Sequence, residues 1–581
     1  MDQTPFRFRR FWLAAAIGVA ALAPMRLVPA APAATTPLVM IAPPPALTPM
    51  GVNASRYLLP EENAQNSERD EGAFEALERA ADQPDAAAEF RKLSLRNDDG
   101  KIPLDGVARG LARLRELQAG QLARAEPNIG GITQARWRND GPGNIGGRVR
   151  ALLFPPQHPD WLLAGSASGG LWLNKNNGGG WQSMVADLAH VPVNALASDP
   201  NQPNILYAGT GESHTKFVTP SKSSSQNDSL DWIEGDGIYV SNDSGLTWNR
   251  LPSTAPAVNG AFAFVNRIAV FADDPGQPLA RTILAATSGG LMRSNDGGAS
   301  WIQIQFVNGP VWDVAVNPGQ PRAQALATNN GRIWRSTLRG ADGSWDEVDG
   351  LPAPGDVGRI SINYARSNGD IVYASMEYAS VPITAGDEKG YTGELWRSND
   401  AGATFGPVNQ TTYFLAGQGW YANAVWVDPT DPNTVMVGGL DLWRSRDGGH
   451  NLRKVSDWLA FQTDEFSAHA DQHIIVSPPG FDGVSHIEVY VGNDGGIFKA
   501  DDAYQINLAT NWDHDPTFGL TVTQFFAGAG GNTPTLRILG GTQDNGTLLY
   551  DGSASAWKHF EGGDGGFVAV DPLNSNKLYG E

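Results

Sequence analysis

Three near-identical segments decide how this chain folds: SNDSGLTW (241–248), SNDGGASW (294–301) and SNDAGATF (398–405). We call this unit the box. Weaker copies are NKNNGGGW (174–181), STLRGADGSW (336–345), SRDGGHNL (445–452) and stretched forms that end at Trp512 and Trp557. The terminal aromatic residue, or its replacement, recurs about every 45 to 65 residues, a period typical of repeat proteins.

Each box follows the same succession of short strands and turns. Ahead of the first box, the strand-like segments RVRALLFP (148–155), WLLAGS (161–166) and GLWLN (170–174) are separated by Pro, Asp or Gly turns. With a fourth short strand that starts at the box aromatic, each period has the content of one propeller blade. We therefore predict an all-β fold over 137–581: a β-propeller of four-stranded blades with box hairpins, about eight blades plus an incomplete one.

The box residues have a structural explanation. Asp243, Asp296 and Asp400 can accept backbone N–H bonds within a tight turn, the glycines supply left-handed φ, and the aromatic packs between neighbouring blades. Because eight similar copies cannot all form one active site, we predict that the box aspartates stabilise the blades and take no part in chemistry.

The composition excludes several classes of protein. The 581 residues include 68 Gly and 18 Trp, and only 18% are charged, which favours a turn-rich all-β chain. A formal net charge of −20 argues against nucleic acid as a partner, since binding to phosphates depends on a basic surface. The absence of cysteine excludes disulfides, thiolate metal sites and cysteine nucleophiles.

The N-terminal region has the pattern of an export signal. Arg7, Arg9 and Arg10 precede an apolar run (11–23) and small residues, which predicts a signal peptide over 1–33 and a secreted or periplasmic protein. The apolar run is shorter than the roughly 20 residues of a membrane-spanning helix. A Pro/Ala-rich linker (34–60) follows, and then apolar residues at helical spacing predict a small helical preamble or pro-segment over 61–125.

Two sets of motifs resemble known families. The box consensus S-x-D-x-G-x-T-W resembles the Asp-box of the bacterial neuraminidase repeat, which occurs in sialidases, two-propeller xyloglucanases and sortilin-type receptors. The motifs that resemble secreted proteins of the glycosyl hydrolase or sialidase-like type are GPGNIGGRVRAL (141–152), YAGTGE (207–212), HADQH (469–473), GNDGG (492–496), GTQDNG (541–546) and GGDGG (562–566). The resemblance implies a propeller, whereas families built on these blades differ in chemistry.

The chain departs from the enzymes of these families at two places. The early Arg-Ile-Pro motif of sialidases is missing from the sequence. Two-propeller xyloglucanases carry an Asp in the second turn of the first blade, where this chain has Ser166-Ala167-Ser168-Gly169-Gly170. The first catalytic carboxylate of that family is therefore absent from the matching position.

Polar residues recur on the propeller face opposite the boxes. In a four-stranded blade, the turn between the second and third strands and the link to the next blade open on that face. The candidate residues there are Asp471, Asp494, Asp544 and Asp564 as catalytic carboxylates, Trp420, Tyr421 and Glu212 as ligand-binding residues, and His469, Asp471 and His473 as ligands of a divalent metal. Trp232 lies in one of two long insertions, 213–236 and 378–393, which are expected to overhang this face.

Three interpretations of these residues stay open. A carboxylate pair could supply the acid and base of a glycosidase, and imidazole with carboxylate could bind zinc or manganese. Alternatively, the Asp and Asn residues form turns and the histidines bond backbone carbonyls. The sequence thus predicts either a glycoside hydrolase-like propeller acting on extracellular or periplasmic glycans, or a non-catalytic, sortilin-like propeller that binds protein or polysaccharide.

Overall fold

From residue 139 onward the chain folds almost entirely into short antiparallel strands. The computed structural model describes residues 139–175, 180–184, 191–214, 231–272, 281–305, 309–319, 323–329, 331–378, 392–461, 467–508, 512–532, 534 and 536–580, together with the helical residues 106, 109–113 and 116. The predicted signal peptide, the linker and most of the preamble lie outside these residues, as do most of the two long insertions.

Seven successive antiparallel sheets form the blades of a propeller. Blade 1 consists of β1 (Val149–Leu153), β2 (Leu162–Ser166), β3 (Gly170–Asn174) and β4 (Trp181–Ser183). Blade 2 consists of β5 (Val193–Ser198), β6 (Leu206–Thr210), β9 (Ile238–Ser241) and β10 (Asn249–Arg250). Blade 3 consists of β11 (Val265–Val270), β12 (Ile283–Thr287), β13 (Gly290–Ser294) and β14 (Ile302–Gln303). The hairpin of β7 (Glu212–His214) and β8 (Asp231–Ile233) is inserted in blade 2.

Blades 4 to 7 repeat this plan. Blade 4 consists of β15 (Asp313–Val316), β16 (Ala325–Asn329), β17 (Arg332–Ser336) and β18 (Trp345–Glu347), and blade 5 of β19 (Val357–Tyr364), β20 (Val372–Tyr378), β21 (Thr392–Ser398) and β22 (Gly406–Asn409). Blade 6 consists of β23 (Ala424–Val427), β24 (Val435–Gly438), β25 (Leu442–Ser445) and β26 (Arg453–Lys454). Blade 7 has three strands, β27 (Ile474–Val476), β28 (Val489–Asn493) and β29 (Gly496–Ala500). The short helical segments are Trp458–Phe461, Pro252–Thr254, Gly260–Ala263 and Asp515–Thr517.

The seven blades close into a ring. The first strand of each blade packs on the first strand of the next, and β1 of blade 1 packs on β27 and β28 of blade 7. At this closure Val149, Leu162 and Trp181 share one apolar cluster with Tyr490 and Val522. The ring is complete after seven blades, so the remainder of the predicted eight blades and an incomplete one lies outside this ring.

An eighth sheet lies outside the ring. It consists of β30 (Phe525–Gly531), β31 (Arg537–Thr542), β32 (Thr547–Tyr550) and β33 (Trp557–Glu561), followed by the pair β34 (Ala569–Val570) and β35 (Leu578–Tyr579). Ile145, which precedes blade 1, packs with Leu548 and Trp557 of this sheet. Asn144 also bonds the backbone of Trp557 in both directions, at 2.8 and 3.1 Å. The segment before blade 1 thus fastens the eighth sheet to the ring.

The boxes form the predicted hairpins between third and fourth strands. In the box at 241–248, Asp243 accepts from the backbone N–H of Thr247 at 2.8 Å and from its hydroxyl at 2.6 Å. The Ser241 hydroxyl accepts from the N–H of Gly245 at 2.8 Å. The boxes that begin at Ser294, Ser398 and Ser445 repeat these bonds.

The box aromatics pack between blades. Trp248 lies in an apolar cluster with Leu163 and Leu171 of blade 1, and Phe405 packs with Leu326 of blade 4. Leu111, in the described helical part of the preamble, belongs to the same cluster as Trp248. Among the described residues, no helix combines the length and the apolar character needed to cross a membrane.

Candidate functional site

A buried polar cluster lies where the seven first strands of the ring begin. Its members are Arg148, Arg150, Glu212, Tyr421, His473 and Asp494. They stand at the start of a first strand or just after a second strand. Because successive turns of an antiparallel blade alternate between its two ends, this cluster lies at the end of the blades opposite the boxes.

Arg148 is the centre of one half of the cluster. Its guanidinium donates to the hydroxyl of Tyr421 at 2.6 Å and to the carboxylate of Glu212 at 3.0 Å. The Tyr421 hydroxyl in turn donates to Oδ2 of Asp494. Arg148 is only 2% exposed and Glu212 is fully buried, so both charges need partners inside the protein. Besides each other, Arg148 has Asp494 at 3.9 Å and Glu212 has Arg150 at 3.3 Å.

His473 links Asp494 to the second arginine. Nη1 of Arg150 bonds Nδ1 of His473, and Nε2 of His473 lies 2.5 Å from Oδ1 of Asp494. A guanidinium can only donate, so Nδ1 must accept and Nε2 must carry the hydrogen that is donated to Asp494. Burial, and then the charge of Arg150, lower the pKa of His473 to about 4, which keeps the imidazole neutral.

The turn between β31 and β32 of the eighth sheet covers this cluster. Asn545 donates to the backbone carbonyl of Asp494 at 3.0 Å, and His469 Nε2 lies 2.9 Å from the carbonyl of Asp544. The side chains of Asp494 and Asp544 are hydrogen-bonded to each other. Asp564 accepts from the backbone N–H of Asp544 at 2.6 Å. Asp544 and Asp564 are half-buried, so this turn and the segment after β33 each bring one partly accessible carboxyl group to the site.

The environment separates the acidities of the two bonded aspartates. Burial alone would raise the pKa of the Asp494 carboxyl, but His473, Arg148 and the hydrogen bonds to it outweigh burial and hold the pKa well below its usual range. Burial, followed by the charges of Asp564 and Asp494, raises the pKa of Asp544 well above its usual range. Divergent pKa values in one pair of carboxyl groups are typical of acid–base sites.

Close backbone packing explains the glycine-rich motifs around the site. A Cβ on Gly146 would lie 1.7 Å from the carbonyl oxygen of Gly495, and one on Gly565 would lie 2.4 Å from that of Gly546. Side chains at either position would force these backbones apart. The four glycine motifs at 141–147, 492–496, 541–546 and 562–566 therefore meet in space.

The predicted metal site is not formed. Residues 469–473 precede β27 and are not an extended strand, and Asp471 has a left-handed φ of 66°. His473 bonds Arg150 and Asp494, whereas His469 bonds backbone carbonyls. In the part of the chain that the structure describes, no three His, Asp or Glu side chains are placed to hold a metal ion. The structure therefore does not bring His469, Asp471 and His473 together as a set of metal ligands.

Two of the predicted ligand-binding residues are part of the buried cluster. Glu212 is fully buried and Tyr421 is 7% exposed, so neither presents a surface to a sugar ring in this arrangement. Trp420 is half-buried beside Tyr421, with 5.5 Å between the ring centroids. The side chain of Trp232 lies outside the described residues.

Burial also divides the four predicted catalytic aspartates. Asp494 is 1% exposed and Asp471 is 9% exposed, so a substrate cannot reach either carboxyl group directly in this arrangement. Asp544 and Asp564 remain as candidates for contact with a substrate.

Sequence reasoning missed the two arginines of the site. Arg148 and Arg150 were present in the motif GGRVRALLF, but only the apolar residues of that motif were used to predict a strand. Two arginines at alternate positions of an otherwise apolar strand share one face, and charges on a buried strand require partners. That pattern was the available signal for a buried ionic cluster.

The chain is similar in sequence to several xyloglucanases. It is 23% identical over 364 residues to a xyloglucanase of Acetivibrio thermocellus, covering 56% of this chain and 40% of that protein. It is 24% identical over 374 residues to one of a Paenibacillus species, covering 57% of this chain and 33% of the relative. The chain thus spans about a third to two fifths of the length of these curated relatives.

The structural likeness concerns the fold. A GH74 enzyme of Niastella koreensis superposes with a TM-score of 0.52 at 17% identity, over 76% of this chain and 65% of that one. No protein-family model matches the chain. The similarity agrees with the propeller architecture described above.

Proposed function

We propose that this protein hydrolyses glycosidic bonds of an uncharged glycan, with Asp544 as the general acid and Asp564 as the second carboxylate. The supporting observation is the hydrogen bond between the side chains of Asp494 and Asp544. Two carboxyl groups can bond in this way only when one of them carries a proton. Because Asp494 already accepts from Tyr421 and His473, the proton resides on Asp544.

A protonated and partly accessible carboxyl group suits the first step of glycoside hydrolysis. As the bond between the anomeric carbon and the leaving oxygen breaks, that oxygen takes the electron pair of the bond and the proton of Asp544. Water then supplies the new oxygen on the anomeric carbon, with Asp564 as base or nucleophile. Trp420, half-buried beside the site, is the candidate for stacking against a sugar ring.

The relatives suggest the first substrate to test. Several are named xyloglucanases, and the net charge of −20 disfavours an anionic polymer. The predicted signal peptide supports action outside the cytoplasm, in the periplasm or beyond the cell. The proposed substrate class is therefore a neutral extracellular or periplasmic polysaccharide.

The experiment is an assay of reducing ends released from xyloglucan, mixed-linkage β-glucan and xylan by the full chain. We expect Asp544→Asn to lower turnover by about 10²- to 10⁴-fold, the usual contribution of a general acid. The control is Asp501→Asn, because Asp501 is 84% exposed and bonds Lys499 at the surface. Wild-type levels of hydrolysis by Asp544→Asn would refute the assignment of the acid.

The alternative is a non-catalytic propeller that binds polysaccharide or protein. The observations that favour it are the burial of Asp494 and the Ser166–Gly170 turn in place of the first carboxylate of the xyloglucanases. Affinity electrophoresis in gels containing each glycan discriminates the two functions. A binder would be retarded by a glycan from which it releases no reducing ends. An enzyme would release them in its wild-type form, and its Asp544→Asn variant would still be retarded but would be inactive.

A further inference from the structure

Every hydrogen-bond donor around Asp494 supports its ionised form. The Tyr421 hydroxyl donates to Oδ2, the His473 imidazole donates to Oδ1, and the Asp544 carboxyl is bonded to the same side chain. Neither His473 nor Tyr421 could reverse its role, because Arg150 and Arg148 occupy their acceptor atoms. The two arginines therefore fix Tyr421 and His473 as donors and Asp494 as the acceptor of these bonds.

We propose that Tyr421 and His473 are positioning residues that hold Asp494 as an anion and thereby keep the shared proton on Asp544. This inference rests on the proposed function, since it assigns the residues that control the general acid. Neither residue touches the substrate in this proposal. Both act through Asp494, which accepts a hydrogen bond from the protonated carboxyl group of Asp544.

The supporting residues come from distant parts of the ring. Arg148 and Arg150 belong to blade 1, Glu212 follows the second strand of blade 2, Tyr421 precedes blade 6 and His473 precedes blade 7. Glu212 accepts from Arg148 at 3.0 Å and lies 3.3 Å from Nε of Arg150, which fixes both guanidinium groups. The eighth sheet contributes only Asp544 and Asn545 to Asp494. The proposed general acid, Asp544, therefore lies on the eighth sheet, and the residues that position it lie on the ring.

Charged and titratable groups face Asp494 from each element packed around it. They are Arg148 and Arg150 on blade 1, Glu212 on β7, Tyr421 before β23, His469, Asp471 and His473 before β27, Asp544 in the eighth-sheet turn and Asp564 after β33. The cations and the donors to Asp494 lie on the ring side, together with Asp471 and with Glu212, which pairs with both arginines, whereas Asp544 and Asp564 lie on the eighth-sheet side. This asymmetry directs the proton to Asp544.

The test compares Tyr421→Phe with Tyr373→Phe in the full chain. Both tyrosines are buried, and the Tyr373 hydroxyl donates to a backbone carbonyl, that of Pro432, at 2.8 Å. Removing a donor to a carboxylate raises its pKa. We therefore expect Tyr421→Phe to lower kcat about tenfold and to move both limbs of the pH–rate profile about one unit higher, whereas Tyr373→Phe leaves the limbs in place. Unmoved limbs in Tyr421→Phe would overturn the proposal.

A stability measurement decides the inference without any catalytic activity. Because the pKa of Asp494 is lowered on folding, its contribution to stability is present above the unfolded pKa of about 3.9 and is lost as the pH falls below it. Tyr421→Phe and wild type share one unfolded state, so the deficit in Tm of Tyr421→Phe should stay constant while Asp494 is ionised in both folded proteins and should shrink only below about pH 3, where the variant binds its proton before wild type does. A deficit that also stays constant from about pH 3 to about pH 2, as expected for Tyr373→Phe, would mean that Tyr421 is merely structural.

The two readouts separate failure of the inference from failure of the proposed function. A wild-type chain that releases no reducing ends at any pH would refute the hydrolase, and the Tm profiles would still decide the role of Tyr421. His473 provides a second pair of variants should Tyr421→Phe not fold. His473→Gln retains an N–H that can reach Asp494 and should keep the wild-type pH dependence, whereas His473→Met should show the shift of Tyr421→Phe. Identical behaviour of these two His473 variants would contradict the proposal.

Discussion

Arg148 is the residue whose loss should cost the ring most. Its charge is buried against Glu212, so Arg148→Met would leave the buried Glu212 carboxylate with Arg150 alone, 3.3 Å away, and would remove the donor to the Tyr421 hydroxyl. We expect a loss of about 3–5 kcal/mol in the free energy of unfolding, measured by urea titration with tryptophan fluorescence. The control is Arg332→Met, because Arg332 and Glu347 pair at the surface, 37% and 39% exposed, where about 0–1 kcal/mol is expected. Equal losses in both variants would show that the cluster does not hold buried charges.

Asp544 should make the protein less stable as the pH rises. Its pKa is raised on folding, so between the unfolded pKa of about 3.9 and the folded pKa the unfolded chain releases a proton that the folded chain keeps. Stability is therefore lost as the pH rises through this window. We expect the difference in Tm between Asp544→Asn and wild type to become more positive from pH 4 to pH 8. The same difference for Asp501→Asn should stay constant. A constant difference for Asp544→Asn would contradict the raised pKa.

At the residue scale, the sequence identified the acidic turns but not their burial. Asp494, Asp544 and Asp564 were selected because glycine-rich turns on successive blades open on one face, and the structure brings them together. Whether such a carboxyl group is accessible depends on the eighth sheet, which packs over the cluster from a distant part of the chain. No local pattern contains that information.

The box should matter for stability and not for turnover. The Ser294 hydroxyl donates to Asp296 at 2.7 Å and accepts from the N–H of Gly298 at 2.8 Å, and the side chain is buried. We expect Ser294→Ala to cost about 1–3 kcal/mol in the free energy of unfolding, because two bonded groups lose their partner. The exposed Ser300, in the same box, should cost less when changed to Ala. A folded Ser294→Ala protein with greatly reduced turnover would contradict a purely structural box.

At the scale of elements, local chemistry was sufficient to predict the hairpins. In the box at 294–301 the side-chain bonds span at most four residues, as between Asp296 and Ser300, so the segment specifies its own turn. The strand predicted from RVRALLFP at 148–155 is observed as Val149–Leu153. Pairing within a blade follows from short turns, whereas the packing of one blade on another depends on contacts that are far apart in sequence.

The number of blades in the ring is a property of the whole molecule. Ring closure requires β1 to meet β27 and β28, which lie more than 300 residues later in the chain. The eighth sheet has the same sequence pattern as the ring blades, so the repeat alone could not exclude it from the ring. The difference lies in its apolar partner, the segment around Ile145.

The attachment of the eighth sheet can be tested separately from the ring. Trp557 is 5% exposed, packs against Ile145 and donates from Nε1 to the carbonyl of Asp140 at 2.7 Å. Trp557→Ala should cost about 3–5 kcal/mol and speed hydrogen exchange over 537–550, with little change in blade 3. Trp301→Ala, at the box of blade 3, should speed hydrogen exchange in blade 3, with little change over 537–550. Uniformly faster exchange in both variants would mean that the sheet and the ring unfold as one unit.

The most direct test of the account is a crystal structure of the Asp544→Asn full chain with an oligosaccharide that the wild-type protein cleaves. We predict that the glycosidic oxygen lies within about 2.6–3.2 Å of the side chain at position 544, over the turn that covers Asp494. An oligosaccharide bound at the box end of the blades, near Asp243 and Asp296, with its glycosidic oxygens beyond reach of position 544, would contradict it.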